Sequence, residues 1–262
     1  MSGPTDPTKD PAERQAELPR DAAYWAKGVS ALELGEVPPE AMNLNVTGRR
    51  VVGPVQGFGK MWQKTFRVEL TGVDVTPAEV ISTWKSSFQS FWPARNWFYG
   101  PITGIAPGEV ALLNLALPGR MKLSTGVLVL YADDESFTLM TPEGHMLAGW
   151  ITFSAATKQG VPVVQIQALE RTNDPLYELG FALGGNRMNT KFWVQTAENL
   201  ARHFGIEPRV DTRVVCVDRH RQWRKAGNLW HNAAVRTFLW RLAAPLRWLG
   251  RPLRRRRDAE TR

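Results

Sequence analysis

The chain of 262 residues contains one cysteine, Cys216, and four histidines. A single thiol excludes an intramolecular disulfide and a metal site built from several cysteines, and it is typical of a reducing compartment. The histidines do not occur at metal-ligand spacings, so the sequence predicts no metal centre and implies no cofactor. Serine-nucleophile motifs of the GxSxG type are also missing, which leaves the catalytic residues, if there are any, unknown.

Long apolar runs are absent as well. The nearest candidate, residues 229–249, is interrupted by three arginines and a proline. Because an arginine at the centre of a bilayer costs about 2.5–3.5 kcal/mol on insertion scales, we expect no membrane-spanning helix. Residues 1–20 contain four prolines and no apolar core of a signal peptide, so we expect a disordered segment and a cytoplasmic protein.

Positive charge is concentrated at the C-terminus. Residues 219–262, which we call the basic tail, contain twelve arginines and one lysine against two acidic residues, a net charge of +11. Since the whole chain carries +8, residues 1–218 carry −3. The sequence pI of 9.9 therefore describes a mildly acidic globular part with a basic extension.

The globular part begins with a strand and a helix. Residues 64–70 alternate between polar and apolar side chains, which predicts a half-buried strand. Thr76, Pro77 and Glu79 form the signature of a helix N-terminus, namely an N-cap, a proline at the first helical position and a capping-box carboxylate. The predicted helix carries an aromatic stripe and ends before Pro93.

Further strands and a long helix follow. Residues 109–117 are predicted to form a strand. Turn signals at regular spacing then predict an antiparallel meander whose strands cover residues 126–131, 136–140, 148–154 and 161–170. Asp174 and Pro175 then open a helix that reaches Gly205. The pair Gly184–Gly185 predicts a kink or a close approach to the sheet within this helix.

This order of elements resembles the helix-grip fold of the START, polyketide-cyclase and pollen-allergen superfamily (SRPBCC) over residues 64–205. The hairpin 141–153, in which a Gly-His turn precedes a strand with glycine and aromatics, resembles an uncharacterised START-like bacterial family. The resemblance implies an α+β helix-grip domain over 62–218, with a twisted antiparallel sheet of about six or seven strands wrapped on a long C-terminal helix. Residues 21–61 are then an N-terminal extension, and the basic tail is a separate amphipathic helix.

Helix-grip proteins include lipid carriers, hormone receptors and cyclases, so the resemblance alone does not settle the activity. We expect the domain to bind a hydrophobic small molecule or lipid without catalysis. An aromatic cluster and polar side chains on later strands are the candidate ligand-binding residues: Trp84, Phe88, Tyr131, Gln165 and Gln167. Two alternatives stay open. The aromatics could fill the core of an interaction module, or polar groups such as Gln167, Glu170 and Tyr131 could serve a cyclase- or hydrolase-like enzyme. His145 lies in a turn, where we expect a solvated side chain.

The basic tail has three interpretations. Arginine together with tryptophan and leucine favours a helix on an anionic membrane surface at the inner face of the cell membrane. Docking onto the globular part or onto another protomer is the second interpretation. Nucleic-acid binding is the third and least favoured interpretation. The arginines suit phosphate groups, but counterion release does not require so many apolar side chains. The predicted membrane-surface residues are Trp230, Arg236, Trp240, Arg241, Arg247 and Trp248.

Overall fold

The computed structural model describes residues 22–28, 31–35, 41, 43–117 and 121–243. In these ranges eight strands form one open antiparallel sheet, in the order β2-β3-β4-β5-β6-β7-β1-β8. The strands are β1 (Met61–Glu69), β2 (Trp97–Tyr99), β3 (Val110–Ala116), β4 (Lys122–Ala132), β5 (Ser136–Met140), β6 (Leu147–Lys158), β7 (Val161–Thr172) and β8 (Asp211–Asp218). The sheet therefore has one or two strands more than the sequence predicted.

Within the described ranges, four α-helices accompany the sheet: α1 (Pro77–Ser86), α2 (Pro175–Gly180), α3 (Asn186–His203) and α4 (Ala233–Leu242). The predicted caps are confirmed. The Thr76 hydroxyl accepts from the Glu79 N–H at 3.2 Å, while the Glu79 carboxylate accepts from the Thr76 N–H at 2.8 Å. Asp174 Oδ1 accepts from the N–H groups of Leu176 and Tyr177 and so starts α2.

The predicted kink at the glycine pair is also present. Between α2 and α3 the backbone makes a wide π-helical turn over Phe181–Gly185. Leu183 leaves the helical region with φ −84° and ψ 15°, and Gly184 has φ +119°. Only glycine adopts that second conformation without strain, so the chain changes direction there.

One face of the sheet, which we call the inner face, is covered by α1 and α3. Alternation along β1 directs Phe66 and Val68 toward the helices and Arg67 toward solvent. Fully buried side chains such as Trp84 and Phe153 join the helices to the sheet. A strand, a helix, further strands and a long helix laid across them confirm the predicted helix-grip architecture.

The opposite, outer face is covered at one end by the N-terminal extension. Leu32 and Val46 are fully buried against Leu112 and Leu128 of the strands β3 and β4. Trp25 makes an isolated bridge to Tyr131 of β4. The extension thus completes the fold by closing part of the outer face.

The described part of the basic tail also docks on the globular part. A 3₁₀ segment, Trp223–His231, leads into α4, which packs against β4. Asn232, Ala233 and Thr237 are completely buried. The side chain of Asn45 donates to the carbonyl of Ala233 at 3.3 Å and to the hydroxyl of Thr237 at 3.2 Å. The extension, the sheet and the tail therefore meet at Asn45.

Candidate functional site

A cleft of ≈570 Å³ opens where α2 turns into α3. One wall comes from the start of β1, with Lys60 and Trp62, and the other from the kinked segment between the helices. The remaining lining residues are Glu178, Phe181, Ala182, Leu183, Gly184, Asn186, Arg187 and Arg221. Four of the five residues of the kinked segment Phe181–Gly185 therefore line this cleft.

The cleft combines apolar walls with an excess of positive charge. Lys60, Arg187 and Arg221 face one carboxylate, Glu178. Both oxygens of that carboxylate are occupied, because Oε1 accepts from Arg221 Nε at 3.0 Å and Oε2 accepts from the Thr172 hydroxyl at 2.8 Å. The other two cations lack an ion-pair partner among the described residues. An anionic group entering the cleft would meet them.

Beneath the cleft lies a buried ion pair. Lys64 Nζ is 2.8 Å from Glu170 Oε1, and the two side chains are 0% and 6% exposed. Lys64 also donates to the side-chain oxygen Oδ1 of Asn189 in α3, and its Nζ lies 5.6 Å from the centre of the Phe181 ring. Phe181 thus separates a satisfied buried ammonium group from the open cleft.

The predicted residues Trp84 and Phe88 do not reach this cleft. Both lie in the aromatic core, where the Phe88 ring is 5.4 Å from Phe137 and 5.0 Å from Phe153. The Trp84 ring is 5.1 Å from Phe153 in an edge-to-face contact. The space beneath α1, where a ligand was expected, is occupied by these rings.

Tyr131, Gln165 and Gln167 lie on the outer face, opposite the core. Tyr131 packs edge-on against Trp25 at 4.8 Å and donates to Asp133. Gln165 accepts from Arg67, and Gln167 borders a shallow pocket of ≈200 Å³ on the outer face. The five predicted ligand-binding residues therefore do not share one cavity.

The residues that do line the cleft were missed in the sequence. Lys60 and Trp62 precede or begin β1, and Leu183 and Arg187 flank the glycine pair. The signal that could have located them was Gly184–Gly185, which predicted the kink. A kink in a helix that crosses a sheet creates space beside it, and the side chains around that space line the opening.

In the tail, the structure places four of the six predicted membrane-surface residues. Trp230 is 82% exposed, and Trp240 and Arg241 lie at the surface of α4. Arg236 donates from Nε to the Asn45 side-chain oxygen at 2.9 Å, so it also anchors the tail. Arg247 and Trp248 lie outside the described residues.

The outward side of α4 is apolar. Ala233 and Thr237 face the globular part and are buried, whereas the opposite side carries an outward stripe at helical spacing: Val235, Phe238, Leu239 and Leu242, exposed by 38% to 59%. Arg236 and Arg241 flank the stripe. The predicted amphipathicity is thus present, with its apolar side turned away from the protein.

The expectation of a solvated His145 was wrong. The tail covers its turn, since the Ala233 N–H donates to the Gly144 carbonyl at 2.9 Å. The imidazole is 6% exposed and Nδ1 accepts from the Leu147 N–H at 3.0 Å. Burial lowers the pKa of His145 to about 4. The local turn sequence could not show this, because the covering residues lie nearly ninety positions later.

The described residues contain neither a metal-binding cluster nor a helix that could span a membrane. No group of three or more histidine, cysteine, aspartate or glutamate side chains in the described ranges is arranged to hold a metal ion. Within the same ranges, no helix has both the length and the apolar character needed to cross a bilayer.

Comparison with known proteins assigns no family to the chain. No protein-family profile and no curated protein matches the chain. Similar solved structures include protein Ms6760 from Mycobacterium smegmatis (8% identity, 60% of this chain and 96% of the other, TM-score 0.40). Others are ginseng major latex-like protein 151 from Panax ginseng (11%, 56% and 99%, TM-score 0.37) and the di-domain ARO/CYC StfQ of the steffimycin biosynthetic pathway (10%, 55% and 51%, TM-score 0.41). Likeness at this level carries no information on ligand or activity.

Proposed function

We propose that the protein binds an amphiphilic small molecule with an acidic head group in the cleft at the kink, without catalysis. The observation that carries this proposal is the composition of the cleft. Trp62, Phe181 and Leu183 offer apolar contact, while Lys60 and Arg187 stand beside them as cations without an ion-pair partner in the described residues. Pockets that combine apolar walls with a few charged groups suit ligands of matching polarity.

Binding is favoured over the enzyme alternative by the state of the ionisable groups. The Glu178 carboxylate is occupied by Thr172 and Arg221, and Glu170 is paired with Lys64. Tyr131 lies on the outer face with Asp133. A general acid or base must reach the proton that it transfers, and none of these groups presents a free atom to the cleft.

A matched pair of ligands tests the proposal. Titration calorimetry would compare decanoate with decanol, which has the same chain and no charge. We expect decanoate to bind about tenfold to a hundredfold more tightly, the range of a hydrogen bond to a charged group. Replacing Lys60 and Arg187 by Gln should remove that preference, and Trp62→Ala should weaken both ligands. Native mass spectrometry of freshly purified protein would show a co-purifying acidic amphiphile.

The control uses Gln167, which was predicted to bind the ligand but lies away from the cleft in the structure. Gln167→Ala lies on the outer face and should leave decanoate binding unchanged. If the Gln167 variant loses binding while the Lys60 and Arg187 variant retains it, the ligand lies on the outer face and the proposed site is wrong.

We further propose that the tail holds the protein on an anionic membrane surface on the cytoplasmic side. Docking and membrane contact are compatible, because α4 buries one side against β4 and turns its apolar stripe outward. A helix with such a stripe flanked by arginines suits the interface of an anionic bilayer. Beyond the described residues the chain continues with seven arginines among its last 19 residues, which adds attraction to the same surface.

Point substitutions test this better than deletion of the whole tail. Ending the chain at Asp218 would remove Asn232, Ala233 and Thr237 from buried positions and damage the fold. We expect Phe238→Ser with Leu239→Ser to reduce flotation with vesicles of equimolar phosphatidylcholine and phosphatidylglycerol, and a chain that ends at Ala243 to lose the salt-sensitive part of binding. Unchanged flotation of both variants would contradict the tail's role.

A further inference from the structure

A second apolar surface borders the cleft. Leu176, Leu179 and Leu183 follow one another at helical spacing along α2 and the kink, and they are exposed by 46%, 57% and 80%. We call them the leucine ridge. Burying leucine side chains removes apolar area from water, so three exposed leucines on one short segment indicate a surface that meets an apolar partner.

The orientation of the ridge is fixed by the other side of α2. The Tyr177 hydroxyl accepts from the Ala234 N–H of the tail at 3.0 Å, and Tyr177 itself is 8% exposed. Asp174 accepts from the Asn232 side chain at 2.8 Å. These contacts hold the polar side of α2 against the tail, which leaves the leucines no position except outward.

The same contacts bring the tail against α2 directly before the outward stripe begins. Residues Asn232 and Ala234, which hold α2, immediately precede the outward stripe of α4. Arg187 and Arg221 lie at the cleft beside the ridge, and Arg236 and Arg241 flank the stripe. Apolar ridges bordered by arginine complement an anionic bilayer, in which the leucines contact acyl chains and the arginines contact phosphates.

We infer that the leucine ridge is a second membrane contact, and that the mouth of the cleft consequently lies at the bilayer surface. The inference rests on the membrane role proposed for the tail and extends it to α2. It commits to one partner, a bilayer containing anionic lipid. The amphiphile can then enter between Trp62 and Leu183 without crossing bulk water.

Neutral substitutions separate the ridge from the tail. Leu179→Ser with Leu183→Ser removes apolar contact without adding charge. Flotation with equimolar phosphatidylcholine and phosphatidylglycerol vesicles should fall by about tenfold for each leucine that leaves the acyl region. Phenylalanine at both positions should restore it. The matched control is Ile102→Ser, an equally exposed apolar residue (72%) in the loop after β2, at the opposite edge of the sheet.

The outcomes are distinguishable. If the Phe238 and Leu239 variant loses flotation while the ridge variant floats like the parent, the ridge inference is overturned and the tail proposal stands. If neither variant loses flotation, both membrane proposals fail, and decanoate binding still tests the cleft separately. A dimer of the parent protein that the ridge variant dissociates would assign the ridge to a subunit interface and overturn the inference.

Discussion

The inner face of the sheet has two ends that differ in packing and in access to solvent. Beneath α1 it is closed, since Trp84, Phe88 and Phe153 interlock there at near-zero exposure. At the kink between α2 and α3 it is open, and Trp62 and Leu183 border a cleft. The same architecture thus contains a filled core and an accessible site side by side.

The difference shows that the position of a binding site in this architecture follows from the side chains and from the course of the long helix. Large aromatic rings use up the space between helix and sheet at one end. At the other end the chain kinks at Gly184–Gly185, and the space between helix and sheet is an open cleft. The two ends should therefore respond differently to the same substitution.

The strongest test of the comparison replaces one tryptophan at each end. Trp84→Ala should lower the free energy of unfolding by about 3–5 kcal/mol, because it leaves a cavity among fully packed rings. Trp62→Ala should cost far less stability, since Trp62 is only half-buried, but it should weaken decanoate binding. Denaturant unfolding and calorimetry measure the two effects. Equal losses of stability would mean that the ends do not differ.

The buried pair under the cleft gives the next largest effect. Lys64→Met leaves Glu170 buried without its partner, which should cost about 3–5 kcal/mol. Replacing both residues, Lys64→Met with Glu170→Leu, should recover most of that loss, because two apolar side chains need no compensation there. If the Lys64→Met variant is as stable as the parent protein in urea, the ion pair is open to water and forms part of the cleft.

Much of the fold could be predicted from the sequence because its signals are local. The capping residues Thr76 and Asp174 start the helices as expected, and alternation placed Phe66 and Val68 in the core. The edge strand β8 lies outside the meander that the sequence predicted. Its place beside β1 depends on long-range pairing, for example Thr65 with Arg213, and not on its own residues.

The site could be predicted less well, for a physical reason. Whether an aromatic such as Trp84 fills a core or lines a cavity depends on the total volume of side chains around it, which one element does not reveal. His145 was expected in solvent because its turn is polar, yet the tail covers it. Contacts between distant segments decide such cases.

Titration of His145 extends the comparison to charge. His145 is buried, and burial disfavours its protonated, charged form. The pKa of His145 is about 4 in the folded protein and about 6.5 in an unfolded chain. The unfolded state therefore takes up a proton first, and stability should fall by about 3 kcal/mol as the pH drops from about 6.5 to about 4. His145→Asn, which keeps an acceptor for the Leu147 N–H, should show a smaller fall over this interval. Urea unfolding at several pH values measures the difference, and parallel profiles would show that His145 is exposed to solvent.

The smallest expected effect comes from two glycine substitutions. One tests backbone strain, and the other tests steric crowding by the added methyl group. Gly184→Ala places a methyl group where nothing lies within 4 Å, so its cost of about 1–3 kcal/mol comes from the backbone at φ +119°. Gly57→Ala is the counterpart at a closed site. Its φ of −80° suits any residue, but its methyl group would lie 2.9 Å from the Cβ of Arg171 and 3.0 Å from that of Ala148. Crowding should destabilise the Gly57 variant and leave decanoate binding unchanged. The Gly184 variant should lose decanoate affinity along with stability, because a straighter helix narrows the cleft. If calorimetry shows full affinity in that variant, the cleft does not depend on the kink.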